Sequence, residues 1–296
     1  MFLFTQMQAF FIPDRWQRLL FSDMLPHMTL PLTILKIGGS VATRKDHENL
    51  SVRTSLMRKV ARALRSSLEE QPCRLILIHG SGSAGHRLAH DFDLRQGTGD
   101  DPKKIRAALL SQRANQKLDA TLADIFVDVG LPVVPIHSAS VIIQNDTGLE
   151  RFSTDTIAHT LTHGQIPLLY GGMVPDTRLN FSICSGDTIA TFLARKFSAE
   201  KICFASDIDG IFTEDPHRFP DASLIEHLDF DQLGARSGIT GSHSVDVTGG
   251  LGGKLEKLAP LHHSSVRSVE IFNGLKAEHY RNILLDIPFP HTIIRF

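Results

Sequence analysis

Cysteine is scarce in this chain: Cys73, Cys184 and Cys203 are its only three in 296 residues. The number is odd and no C-x-x-C pair occurs, which excludes a disulfide framework and a paired-thiol redox motif. Cys184 and Cys203 lie inside apolar segments and read as buried, reduced thiols of a cytoplasmic protein. An excess of either charge is also missing, with 31 Lys plus Arg against 32 Asp plus Glu. That balance argues against broad nucleic-acid or anionic-membrane binding and leaves room for a local basic pocket. No apolar run approaches the ~20 residues of a membrane span. The 15 histidines are scattered, with no H-E-x-x-H or similar spacing, so no protein-held metal is expected. Internal repeats, low-complexity linkers, a carboxylate dyad and a G-x-x-x-x-G-K-[ST] loop are all lacking as well.

What remains is an ordinary globular composition with a regular pattern. Residues 1–29 are apolar and aromatic but interrupted by Asp14, Arg15 and Arg18, with no basic n-region. They make a poor signal peptide and are expected to be a leader, appended or disordered, outside the body. From residue 32 onward, short apolar runs alternate with helical periodicity. "LTILKI", "RLILI", "LPVVPIH", "QIPLLY", "KICFASD" and "SVEIF" read as strands. The segments 51–70, 103–130, 187–197 and 252–265 read as helices. Near-continuous apolar strands separated by helices predict a three-layer α/β/α sandwich with a mainly parallel central sheet. Residues 30–296 are read as a single domain with two lobes, 30–175 and 176–296.

Glycine clusters fall at the predicted carboxyl ends of the strands, where ligands bind in such sheets. Gly80, Gly82 and Gly85 fit G-x-G-x-x-G, the dinucleotide fingerprint. A dinucleotide unit also needs a second buried strand ending in an acid ~20 positions on. Asp100 and Asp101 have that distance, but "DFDLRQGTGD" before them is polar and glycine-rich. The fingerprint is met and its context is missing. The loop still suits an anion, because glycines allow close backbone approach and a helix predicted to start near Ala84 offers unpaired N–H groups. His86, in the first turn of that helix, is placed to reach the same anion.

Two further clusters share this chemistry. Lys36 is the only charge in "LTILKI" and precedes Gly38, Gly39 and Ser40; a lysine there is costly unless its ammonium finds a partner. Gly249, Gly250, Gly252 and Gly253 precede Lys254 at a predicted helix start. Several phosphate cradles with lysines point to phosphoryl transfer, which needs positioning and charge neutralisation more than covalent help. Lys36 and Lys254 are candidates to stabilise the moving phosphoryl group, and His86 to hold the acceptor.

The segments "LKIGGSVATRKD", "HGSGSAGH", "PVVPIHSAS", "FSICSGDTIA", "SDIDGIFTEDP" and "DVTGGLGGKLEKL", in this order, resemble the amino acid kinase superfamily in its isopentenyl phosphate kinase branch. The resemblance covers the chain from about Leu32 to the C-terminus. It implies transfer of the γ-phosphate of ATP, with Mg²⁺ carried by the nucleotide, to isopentenyl phosphate in isoprenoid biosynthesis, and a homodimer. By motif match, Lys36 resembles the lysine at the transferred phosphate and Lys45 a second lysine near it. Gly38, Gly39 and Ser40 resemble the phosphate loop. Gly80, Gly82, Ser83 and Gly85 resemble the acceptor loop, and His86 its histidine. Gly186 and Asp187 resemble the turn over the acceptor and its orienting acid. Asp207, Asp209 and Gly210 resemble the segment near the nucleotide, and Gly252, Gly253 and Lys254 its phosphate contacts. Three positions depart from the pattern: Ala84 where an aromatic is common, Gly172 where an aspartate is common, and His291 where a glycine is usual. They bear on acceptor preference. Ile105, Leu109 and Leu110, with Leu88 and Phe92, are candidates to line an apolar tail pocket or to be plain core. Another kinase of the same fold, such as a fosfomycin kinase, and a nucleotide-sensing module without turnover are the alternatives.

Overall fold

The computed structural model describes residues 29–44, 50–216, 218–230, 257–262 and 264–296, and of Ser83, Ala84 and His86 the backbone alone. The leader through residue 28, Lys45 and the 231–256 segment with Gly249, Gly250, Gly252, Gly253 and Lys254 lie outside the described residues.

The chain opens with β1 (Leu32–Ile37), α1 (Thr54–Glu70) and β2 (Arg74–His79). There follow α2 (Gly82–Asp91), the 28-residue α3 (Pro102–Val129) and β3 (Val133–Pro135). Next come β4 (Ile142–Asn145), β5 (Gly148–Phe152), α4 (Asp155–Thr162), β6 (Ile166–Tyr170), β7 (Gly172–Asp176) and β8 (Asn180–Cys184). The remainder holds α5 (Gly186–Lys196), β9 (Lys201–Ser206), β10 (Ile211–Phe212), β11 (Leu224–Ile225), β12 (His227–Asp229), β13 (Ser268–Asn273), α6 (Glu278–Leu284) and β14 (Thr292–Arg295).

Eight strands form the main sheet in the order β12–β14–β13–β9–β1–β2–β6–β3. Its pairs are parallel except β13–β14. Strand alternation splits the core in two. Leu35 and Ile37 of β1, with Leu75 and Leu77 of β2, face a layer that includes Val60 and Leu64 of α1, Leu118 and Phe126 of α3, and Tyr280 of α6. Ile34, Ile76 and Ile78 face the opposite layer with Ile157 of α4 and Ile189 and Leu193 of α5. These are the expected three layers, and the period of two places Lys36 on the α5 side with Ile34.

Local chemistry sets the helix ends. Asp101, placed at the distance of a ribose-binding acid, instead caps α3: its carboxylate accepts from the Lys103 N–H at 2.8 Å, beside Pro102 at the first helical position. Gly130 ends α3 at φ +95°. α2 starts at Gly82, two residues before the expected Ala84, so His86 is its fifth residue. Of the expected 252–265 helix, the described residues Lys257 and Leu258 are helical and run into a 3₁₀ segment, Ala259–Leu261.

The sequence reading did not anticipate a second sheet, β5–β4–β7–β8. Its two hairpins are short, and their alternation is broken by turns with unusual backbone. Asp146 and Thr147 adopt φ +52° and +67°, and Asn180 +64°. One carboxylate holds both turns. Asp176 accepts from the N–H groups of Asp146, Thr147, Arg178 and Leu179 at 2.9–3.0 Å, and from Ser182 Oγ at 2.6 Å. Burial works to raise its pKa. The bonds from Ser182, Thr147, Leu179 and Arg178 outweigh that and hold the carboxyl well below the usual carboxylate range.

Candidate active site

The carboxyl ends of β9, β1, β2 and β6 are stitched together by backbone bonds. The N–H of Gly38 donates to Ala205, that of Gly80 to Ile37 and that of Gly171 to His79, at 2.9, 2.9 and 3.2 Å. Two of the close approaches need glycine. A Cβ on Gly80 would stand 2.5 Å from the Gly39 nitrogen, and one on Gly171 would overlap the Gly186 nitrogen. The turns after β1, β2 and β6 and the start of α5 therefore meet backbone to backbone. Ser81 closes the ring, its hydroxyl donating to the Gly171 carbonyl at 2.8 Å.

Lys36 and Asp187 join at this floor. Lys36 Nζ bonds Asp187 Oδ1, and the two side chains are 14% and 10% exposed. The ammonium also lies 5.7 Å from the centre of the Phe204 ring. Gly186 sits against the lysine stem: a Cβ there would be 3.1 Å from Lys36 Cε. The partner that the strand lysine required is thus the acid of the "SGD" turn, 151 residues away. Ser185 caps α5 by accepting from the Thr188 N–H at 3.1 Å. The structure so brings together Lys36, Gly38, Gly39, Gly80, Gly82, Gly186 and Asp187. Ser40 lies in the single helical turn Gly39–Ala42 next to them.

Gly85 packs on Ser81 and Asn115. Asp207 and Asp209 follow β9. Asp209 accepts from Lys276 Nζ at 2.9 Å, tying the loop after β9 to the one after β13. Burial opposes ionisation of Asp209, but the bonds from Lys276 and Asn273 prevail and hold its pKa down. Gly210 packs against Thr292, whose Oγ1 a Cβ would overlap, so its missing side chain serves that contact with β14.

Sequence reasoning missed several side chains here. His79, fully buried, points beneath the acceptor-type loop. Its Nε2 is 3.2 Å from Asp119 Oδ1 and its Nδ1 3.0 Å from the Gly80 carbonyl. Tyr170 stacks on it with ring centres 5.1 Å apart and meets His137 Nδ1 at 2.8 Å. Burial raises the Tyr170 pKa, and Asp119 adds to it. Burial lowers that of His137 against the pull of Asp119. Asn115 of α3, also fully buried, reaches the Gly171 carbonyl at 3.4 Å and leaves its Oδ1 without a hydrogen-bond partner. A Cβ on Gly172 would stand 2.6 Å from Asn115 Nδ2, so Asn115 fills the space of the aspartate expected at 172. The spacing of α3 held a signal: Asn115 and Asp119 lie on the stripe of Leu118 and Leu122, where apolar residues are the rule. His291, the third departure, lies elsewhere, 3.5 Å from Glu270 and stacked on Phe289.

The tail-pocket candidates divide. Phe92, just past the end of α2, and Leu109 and Leu110 of α3 are exposed. A small apolar cluster forms instead from Leu94, Ala107, Ala108 and Met173, with Phe181 and Ile183 of β8 beside it. No described helix is long and apolar enough to cross a membrane.

Comparison with known proteins gives the family and the fold. The model of the "Amino acid kinase family" matches residues 31–273. Isopentenyl phosphate kinase of Methanothermobacter thermautotrophicus is 30% identical over 82% of this chain and 91% of its own length. The enzyme of the same name from Thermoplasma acidophilum is 29% identical over 89% of this chain and 100% of its own length. A solved isopentenyl phosphate kinase superposes with a TM-score of 0.76 at 26% identity, covering 89% of this chain and 99% of that one.

Proposed function

This chain belongs to the amino acid kinase family, and from that premise we propose that it transfers the terminal phosphoryl group of ATP to isopentenyl phosphate, forming isopentenyl diphosphate. It is a phosphotransferase by descent; the acceptor is the proposed part. One observation carries the reading: the Lys36–Asp187 pair lies where three backbone turns at the strand ends meet the N-terminus of an 11-residue helix. Backbone N–H groups, a helix dipole and a held ammonium suit phosphate oxygens.

In this proposal the transfer is direct and in line. Asp187 aims Lys36 at the moving phosphoryl group, and Gly38, Gly39 and Ser40 supply close backbone. Gly80, Gly82, Ser83 and Gly85 cradle the acceptor phosphate and His86 bonds it. Asp207, Asp209 and Gly210, with Gly252, Gly253, Lys254 and Lys45, serve the nucleotide side. The acceptor lobe spans 30–175 and the nucleotide lobe 176–296. The donor set fits a polyphosphate carrying Mg²⁺: it offers cations and N–H groups, with Asp187 already committed to Lys36. The ion, bound to the nucleotide, would neutralise charge on the phosphates. We also propose a cytoplasmic homodimer, which light scattering and fractionation will check.

The test is an ATP-coupled assay against isopentenyl phosphate, dimethylallyl phosphate, geranyl phosphate, fosfomycin, UMP and N-acetylglutamate. Isopentenyl phosphate is expected to give the highest kcat/KM. Preference for any other acceptor refutes the assignment.

A further inference from the structure

A second lysine, which the motif reading passed over, reaches the N-terminus of α5 from 72 residues along the chain. Lys257 Nζ donates to Ser185 Oγ at 2.8 Å. That hydroxyl is already engaged, accepting the Thr188 N–H at 3.1 Å and touching Thr188 Oγ1 at 2.9 Å. It caps α5 well without the lysine.

The electrostatics of this position are unfavourable in the empty protein. The N-terminus of a helix is the positive end of its dipole, and a cation there is repelled. Lys257 is exposed and has no carboxylate at ion-pair distance among the described residues. The one acid in the first turn of α5, Asp187, is bonded to Lys36. An ammonium held at a positive helix end, beside a second lysine already neutralised, lacks an anion.

We propose that Lys257 is a phosphate-binding side chain of this site, taking the terminal phosphates of the nucleotide. The inference rests on the kinase reading above. α5 packs across β1, β2, β6 and β9, so its N-terminus stands over the middle of the sheet. Lys257 reaches it there, at the residue before Gly186, which packs on the Lys36 stem, where the transferable end of the nucleotide belongs and the nucleoside does not. Lys257 is not the motif lysine, Lys254, which stands three residues earlier in the sequence.

Calorimetric titration of the full chain with ATP and AMP, for wild type, Lys257→Gln and Lys257→Arg, tests this. Losing one charge-assisted bond raises the Kd for ATP about tenfold in Lys257→Gln. AMP affinity stays unchanged and Lys257→Arg recovers most of the loss. Unliganded Lys257→Gln melts at or above the wild-type temperature, because a cation has left a positive helix end. A strut would do the reverse. Wild-type ATP affinity in Lys257→Gln, equal losses for ATP and AMP, or a lowered melting temperature without ligand overturns the proposal. Failure of the wild type to phosphorylate isopentenyl phosphate, with ATP binding and its dependence on Lys257 intact, refutes only the acceptor. A wild type that binds no ATP refutes both.

Discussion

Replacing Lys36 by Met removes one charge of a pair whose side chains are 14% and 10% exposed. The methionine keeps most of the volume, so packing against Phe204 and Gly186 changes little. Asp187 is then left with its charge largely out of water. Breaking such a pair from one side costs about 3–5 kcal/mol. For a domain of this size that lowers the melting temperature by about 6–20 °C. Removing both charges, as Lys36→Met with Asp187→Leu, takes the buried carboxylate away as well. The double variant is therefore expected to recover most of the stability lost by the single one, with a coupling of at least about 2 kcal/mol. Activity behaves differently: kcat falls about 10²–10³-fold in both, the scale for one donor at a developing oxyanion. Thermal unfolding of the two single variants and the double, beside steady-state kinetics with saturating ATP, checks this. Additive losses in stability, or a Lys36→Met enzyme with wild-type kcat, refute the reasoning.

Gly80→Ala places a Cβ 2.5 Å from the Gly39 nitrogen, so the two loops must separate. It is expected to cost about 1–3 kcal/mol and most of the turnover. Gly99→Ala, at φ +50° with nothing within 4 Å, costs about 1 kcal/mol of strain and leaves turnover unchanged in the same assay. Asp176→Asn weakens the clamp on both hairpins. The folded pKa is depressed, so the carboxylate stabilises above the unfolded value of ~3.9 and that contribution fades as pH falls below it. The variant should lose about 2–3 kcal/mol at pH 7 and show a flatter acid-side decline in denaturant titrations. Burial pushes the Cys184 thiol up to about 12 and that of Cys203 well above its ordinary value. Both should therefore resist an aromatic disulfide reagent at pH 8 until the protein is unfolded.

Much of this fold was legible because the central strands are buried on both faces and read as unbroken apolar runs. "LTILKI" also exposed its own exception, Lys36, whose need for a partner follows from the energetics of burial alone. Its partner did not follow, since nothing local links Lys36 to Asp187 across 151 residues; the motif resemblance named both and not their bond. The second sheet was illegible for another reason. Its hairpins turn on Asp146, Thr147 and Asn180 at positive φ, and the first of these turns is held by a carboxylate from the other hairpin. Such turns lack the glycine that marks them in a sequence. Asp119 stood out as a polar residue on the apolar stripe of α3 and His79 as the end of an apolar strand, but only the folded chain places one against the other.

The order of the central sheet has a consequence for synthesis. β1 pairs on one side with β2, close in the chain, and on the other with β9, where Thr33 meets Lys201. A ribosome adding about 5–20 residues per second needs roughly 10–30 s to deliver that second partner. Through this interval one edge of this largely apolar strand has no native neighbour, and such an edge templates pairing between chains. The same delay postpones activity, because Asp187 and β9 emerge late. Nascent chains stalled before residue 200 are therefore expected to be inert and prone to aggregate, and chaperone demand should fall sharply once β9 has left the exit tunnel.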